Sequence, residues 1–258
     1  MQEYQLQLAM SAGELLLKSG GEIFRVEQTI EHIALKMGAH KVDSFVTPTA
    51  LISSIEVDEV THSFVRSIAS RSYNLIAIVE INDLSRRFCS GEILTCDLAS
   101  GLDAILHTPA PSGIDLKMAL ASGFGALGFA FIIGLRAPLP LLYATLNGFA
   151  ARAILDIINA RGKLPEALAV LLSSSLLSMM AFCYPNLSMI EQNMVNLGGL
   201  FLLLPGVTLS TSFRELASGD LLSGISRLAE ALISLTMIAM GVICSHRLLP
   251  WILEVMAR

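Results

Sequence analysis

Apolar residues change their rhythm twice along this chain. From residue 4 to residue 19, Leu6, Ala9, Met10, Gly13, Leu16 and Leu17 recur at helical spacing, and Ser19-Gly20-Gly21 ends the run. Ile23, Val26, Ile30, Ile33, Ala34 and Met37 then line one face of a second helix, and Gly38 stops it. Both helices are amphipathic, so both must pack on something. Three short runs with strand character follow, at 42–47, 50–57 and 60–68, with Pro48 at the first turn. Helices resume at about 73–89 and 96–106. The order α-α-β-β-β-α-α predicts an α+β fold, not the strand-helix alternation of a nucleotide-binding sheet.

Past the Pro- and Gly-containing joint Thr108-Pro109-Ala110-Pro111-Ser112-Gly113, the alternation gives way to long apolar stretches. A bilayer core takes about 20 predominantly apolar residues per helix. Five stretches qualify, at about 118–135, 139–158, 164–184, 190–210 and 222–244. Pro138, Pro140, Gly162, Pro165, Pro185 and Gly219 punctuate them. The reading is therefore two domains. Residues 1–112 form a cytoplasmic α+β domain, and residues 113–258 form an all-α membrane bundle of five transmembrane helices. The first span is rich in small residues, from Ala119 to Gly128, which let helix backbones approach closely in lipid. Packing inside the bundle is the expected use; contact with another chain is the alternative.

Composition sharpens the division. The chain is 53% hydrophobic and 15% charged, with a mean hydropathy of +0.65. That excludes a disordered chain, and a net charge of -5 without a basic stripe argues against nucleic acid as a partner. Residues 1–115 hold 15 acidic against 8 basic side chains, while residues 116–258 hold 7 against 9. No basic, apolar leader opens the sequence, so the front domain is expected to stay in the cytoplasm. The positive-inside rule then places Arg161, Lys163 and Arg214 inside and the uncharged-by-Lys/Arg loop 184–191 outside, against Arg136, Arg247 and Arg258. The N terminus is expected inside and the C terminus outside the cytoplasmic membrane. The four cysteines show no paired spacing and are expected to be free.

Charges within spans are costly and are functional candidates by default. Arg152 and Asp156 stand four apart on one helix face, with Asn147 one to two turns earlier. They read as a self-neutralised pair near the inner surface, or as a proton-coupling site. Arg227 and Glu230 stand three apart in the last span. Ahead of them run Pro205-Gly206, Arg214-Glu215, Asp220 and Ser223. This stretch predicts a helix that breaks at Pro205-Gly206, a polar turn, and a second helix with charged first turns. Broken helices free backbone groups at membrane depth, where small solutes bind. Ser173-Ser174-Ser175 reads as a helix-packing patch.

In the front half, Gly20-Gly21 precedes a helix carrying Glu22, Arg25 and Glu27. A solvated face is the plain reading. An enzymatic reading would draw on Glu22, Glu27, His32, Asp43 or Ser53, but no triad order or metal-ligand spacing joins them. No Walker loop or G-x-G-x-x-G is present, and no cofactor or metal is expected.

Two motifs carry a resemblance. One is Gly21-Glu22-Ile23-Phe24-Arg25-Val26-Glu27-Gln28-Thr29-Ile30. The other runs from Pro205-Gly206-Val207 through Arg214-Glu215-Leu216, Gly219-Asp220 and Ser223-Gly224 to Arg227-Leu228 and Glu230-Ala231. The chain resembles the threonine/serine exporter family over nearly its whole length, and in size it is similar to the long subunit of the split type. The resemblance implies a cytoplasmic N-terminal domain, once likened to hydrolases, and about ten spans in the complete transporter. A short membrane subunit of four or five spans, or a homo-oligomer, would supply the rest. It implies export of threonine and serine, with a dicarboxylate such as succinate as the alternative cargo. The expected binding set is Arg227 and the backbone at Pro205-Gly206 for a substrate carboxylate, with Arg214, Asp220, Ser223 and Asn147 around it. Glu230, Asp220 or Asp156 would hold an ammonium group or a coupled proton, so that the proton-motive force drives export. Gly21, Arg25 and Glu27 mark the N-terminal motif. A membrane-anchored hydrolase and a regulatory membrane protein are the competing readings.

Overall fold

The computed structural model describes residues 2–69, 73–108, 115–161 and 164–256. Most of the joint at 108–113 therefore lies outside the described residues, as do Gly162, Lys163 and Arg258. The chain forms two compact units. One comprises Met1–Pro109 with Ser210–Leu228, and the other Ala110–Leu209 with Ala229–Arg258.

The first unit begins with α1 (Gln2–Lys18) and α2 (Ile23–Lys36), which pack on each other. Gly20, at φ 88°, closes α1 in a conformation that costs a β-carbon-bearing residue dearly. Three antiparallel strands follow in the order β1 (Lys41–Thr47), β2 (Ala50–Val57), β3 (Val60–Ser67). Asp58 and Glu59, both at positive φ, make the two-residue turn between β2 and β3. Leu51, Ser53, Ile55 and Val57 of β2 point inward, and the intervening Ile52 is exposed. α3 (Leu75–Ser90) is capped by Asn74, whose side chain accepts from the Ala77 amide, and α4 (Thr95–Leu106) completes the α+β part. The core is continuous: Leu6, Met10, Leu16, Leu17, Ile23, Ile30, Ile33, Leu51, Ile55, Ile81 and Leu98 are fully buried together. Most of α9 (Gly206–Ser218) and the start of α10 (Leu221–Met256) belong to this unit, joined through Gly219.

The second unit is helical. α5 (Leu116–Ile132) starts at Asp115, whose carboxylate accepts from the amides of Lys117 and Met118. α6 (Pro138–Arg161), α7 (Glu166–Cys183) and α8 (Met189–Leu200) follow, then a 3-10 turn (Phe201–Leu203). Ser188 and Glu191 cap α8 reciprocally. The small residues of α5 are used inside the unit. Gly123 lies against the Thr145 carbonyl of α6, and a β-carbon on Gly148 would overlap Ala126.

Among the described residues, three helical segments are long and apolar enough to cross a membrane: Pro138–Ile158, Glu166–Cys183 and Leu221–Arg247. Met189–Leu203 and Gly206–Ser218 make a fourth only as one bent pair, turned by 56°. The stretch read as a span at 190–210 is interrupted because Pro205 has no amide hydrogen to give the helix. The stretch at 118–135 is shorter than its hydropathy suggests, because α5 stops at Ile132 and Gly134 turns away at φ 110°.

Candidate functional site

Two polar clusters stand out, one in each unit. The first gathers at the start of α2. Arg227, one and a half turns into α10, is only 1% exposed. Its Nε stands 3.0 Å from Glu215 Oε2 on α9, and Glu215 is equally buried. Its two terminal nitrogens donate to the Gly21 carbonyl at 2.9 Å and the Tyr73 hydroxyl at 3.2 Å. Glu215 Oε1 accepts from the Ile23 amide at 3.4 Å, an orphan donor of the first turn of α2. The two terminal nitrogens thus have hydrogen-bond partners, and Nε faces Glu215 Oε2 as an ion pair without a hydrogen bond between them. An ion pair withdrawn this far from water holds only with such extra hydrogen bonds.

Around this core lies a more exposed rim. Glu22 takes Arg25 Nε at 3.2 Å on one carboxylate oxygen and the Arg214 guanidinium on the other. Glu27 accepts from the Val46 amide of β1 at 3.2 Å. Burial holds the Glu27 carboxyl above its ordinary range; the Val46 hydrogen bond opposes this, and the charge of Asp220 adds to it. Gly21 is required by space, since a β-carbon there would come within 2.8 Å of the Leu16 carbonyl oxygen. The Gly224 position is similarly tight against Leu216, which holds the turn between α9 and α10 closed.

So the structure brings Arg227, Arg214, Asp220, Gly21, Arg25 and Glu27 into one neighbourhood. Ser223 is buried on the same stretch of α10. Glu230, one turn beyond Arg227, is exposed and belongs to the other unit. Pro205 and Gly206 open α9 within the second unit, where the Pro205 carbonyl accepts from the Leu209 amide. Sequence reading missed Glu215 as the partner of Arg227, and Tyr73 and the Ile23 amide as their supports.

The second cluster lies among α6, α7 and α8. Asn147 is fully buried, and neither its Oδ1 nor its Nδ2 has a hydrogen-bond partner among the described residues. Ser178 donates to Asn196 Oδ1 at 3.2 Å, and both side chains are buried. Ser173 is buried too, and Ser174 bonds back to the Leu171 carbonyl. Further along α6, Arg152 Nε stands 3.0 Å from Asp156 Oδ1, as their spacing predicts, with Asp156 only 10% exposed.

The residues of the enzymatic reading have other partners. Ser53 bonds to Ser44 across the β1–β2 pair, Asp43 pairs with Lys41, and His32 is exposed on α2. Among the described residues, no group of three His, Cys, Asp or Glu side chains is placed to hold a metal ion.

A compact α+β unit on one chain with long apolar helices, some carrying paired charges, defines a polytopic membrane protein. The sequence matches the family described as "Putative threonine/serine exporter" over residues 7–249. The chain belongs to the threonine/serine exporter family. It is 25% identical over 244 residues to a protein of Mycobacterium tuberculosis named "Probable threonine/serine exporter", covering 94% of this chain and 46% of that protein. The chain thus spans about half the length of the curated relative it matches. No solved structure matches it.

Proposed function

We propose that this chain is one component of a secondary transporter that exports threonine and serine across the cytoplasmic membrane, driven by the proton-motive force. The observation that carries the reading is membership of the exporter family across residues 7–249. In this reading α5 and the bent pair also cross the bilayer, giving five spans with the N terminus inside and the C terminus outside. The matched relative is about twice as long, and in this reading a second membrane chain, or a second copy, forms the other half of the transporter. Inverted or parallel repeats of this kind build many secondary transporters.

The residues divide by role. Arg227 and Glu215 act as a latch that fixes the α9–α10 turn to the first turn of α2, because both terminal guanidinium nitrogens are hydrogen-bonded to protein and Nε is ion-paired with Glu215. Substrate handling falls to the second unit. There Asp156 is the candidate for the coupled proton: its Oδ2 is buried without a hydrogen-bond partner among the described residues, and Arg152 offsets the charge on its Oδ1.

The test is export from cells preloaded with a threonine- or serine-containing dipeptide. The chain is expressed alone and then with a companion short membrane protein from the same genome. External amino acid rising over minutes, and abolished by a protonophore, supports the reading. No rise in either case, with both proteins in the membrane, overturns it; succinate efflux from the same cells would redirect it to a dicarboxylate.

A further inference from the structure

Asn147 falls near the middle of the apolar segment Pro138–Ile158, nine residues from one end and eleven from the other. At 1.5 Å per residue both ends are about 14–17 Å away. Asn196 falls seven residues after the start of Met189–Leu203, the first half of the bent pair. The helices that carry them, α6 and α8, pack on each other. A β-carbon on Gly199 would overlap the Asn147 amide, and Asn196 sits one turn before Gly199 on α8. Ser178 of α7 closes the group through its bond to Asn196. α6, α7 and α8 therefore each bury a neutral polar side chain, Ser178 five residues from the end of α7, and α6 carries an amide with nothing to bond to among the described residues.

A buried amide without partners is costly, and in lipid more so. Replacing it with an apolar residue would remove that cost, so its presence calls for a use. Asn147 offers both an acceptor and donors. The polar groups of serine or threonine differ in this respect: the ammonium only donates, the carboxylate only accepts, and the hydroxyl does both. Only the hydroxyl matches the two faces of one amide. The surroundings suit it, since Ala144, Ala151 and Val195 are fully buried nearby and offer apolar walls for a methyl group or a β-carbon. Gly199 keeps α8 close enough to seal the amide from solvent in this conformation.

We propose that Asn147, buried without a partner near the middle of its apolar segment where Gly199 of α8 packs on it, reads the side-chain hydroxyl of the exported amino acid. This rests on the transporter reading above, and it adds the residue that sets substrate choice. A site built to hydrogen-bond a hydroxyl rejects the analogue that lacks it far more strongly than an apolar pocket distinguishes two shapes.

The experiment compares L-threonine with L-2-aminobutyrate, which has hydrogen in place of the hydroxyl, in the cell export assay with the full chain and its companion. Wild type is expected to prefer threonine by about tenfold or more in kcat/KM. Asn147→Ala and the similarly branched but apolar Asn147→Leu are expected to bring that ratio near one while the protein stays in the membrane. Both variants are also expected to raise the melting temperature of the purified protein, because the unpartnered amide is gone. Threonine export with an unchanged threonine-to-aminobutyrate ratio in both variants would overturn the inference and leave the transporter reading intact; the amide would then be structural or bonded to trapped water. If wild type exports neither amino acid, the transporter reading fails first, and this inference falls with it.

Discussion

Arg227 Nε and Glu215 Oε2 face each other at 3.0 Å across the Gly219 turn, with each side chain 1% exposed. The pair sits against the opening turn of α2, where the Gly21 carbonyl and the Ile23 amide complete its hydrogen bonds. Removing one member leaves an uncompensated buried charge. Arg227→Met or Glu215→Leu alone is expected to destabilise the protein by about 3–5 kcal/mol. The double variant recovers most of that loss, although it still leaves the Ile23 amide and the Gly21 carbonyl short of partners. Thermal melts of the four proteins in detergent give the coupling directly. Additive losses would show that the two side chains do not act as a pair.

The rim pair behaves differently. Arg214 is 62% exposed where it meets Glu22. Arg214→Ala is expected to cost no more than about 1 kcal/mol, and less in high salt. A loss as large as that of Arg227→Met would place Arg214 inside the latch instead.

Glu27 gives a pH dependence with a definite sign. Burial raises its carboxyl above the ordinary 4.5, so the folded protein holds this proton more tightly than the unfolded chain. Below pH 4.5 both states are protonated and Glu27 favours neither. As pH rises above that value the unfolded chain ionises first, and stability falls until the folded carboxyl has ionised as well. Glu27→Gln removes this loss and keeps an oxygen for the Val46 amide. The variant is expected to melt higher than wild type at pH 7–8, with the difference closing toward pH 4.5. A gap that widened as pH fell would mean that the carboxylate is stabilised by the fold. Asp220→Asn should shrink the effect, since its charge pushes Glu27 the same way.

The α5–α6 contact depends on glycine. A β-carbon at Gly148 would overlap Ala126 and stand 2.7 Å from the Ser122 carbonyl oxygen, and backbone there has little freedom to move. Gly148→Ala is expected to cost about 1–3 kcal/mol. Gly128, on α5, has no atom within 4 Å of a β-carbon position. Gly128→Ala is therefore expected to be neutral or slightly stabilising through helix propensity. Equal effects at the two sites would count against this packing.

The front unit was legible because its elements obey simple periods. Ile23 to Ala34 repeats at helical spacing and emerges as the buried face of α2. The β-branched, apolar run at 50–57 emerges as β2, with Leu51, Ser53, Ile55 and Val57 on its inner face. The Arg152–Asp156 pair was legible for the same reason, since four residues on a helix fix a neighbour. Pairing across a turn has no such rule. Arg227 has Glu230 one turn away, yet the fold turns it toward Glu215, on the preceding helix, and toward Tyr73, 154 positions earlier. Asn196 escaped notice because a neutral amide in a helix that also carries Glu191, Gln192 and Asn193 looks like ordinary polar surface. Its burial comes from packing, which composition does not encode. The break at Pro205-Gly206 was legible from the proline itself, whereas the end of the first apolar stretch was set too far along. Hydropathy averages through Gly134, whereas the helix ends at Ile132 and turns there.

Asp156 tests the coupling. With Asp156→Asn the pair with Arg152 loses its charge and its buried proton acceptor. Export is expected to lose its response to an imposed pH gradient, while downhill exchange of threonine persists. Retained gradient-driven export would assign the proton elsewhere, with Glu230 the next residue to replace.

The most direct measurement is made in liposomes. The purified chain and its companion are reconstituted together, radiolabelled L-threonine is placed on one side, and a pH gradient is imposed across the membrane. Threonine accumulating against its own gradient, and collapsing when a protonophore is added, is the result this account predicts. Threonine that never moves faster than in protein-free liposomes, with both chains present and folded, would contradict it.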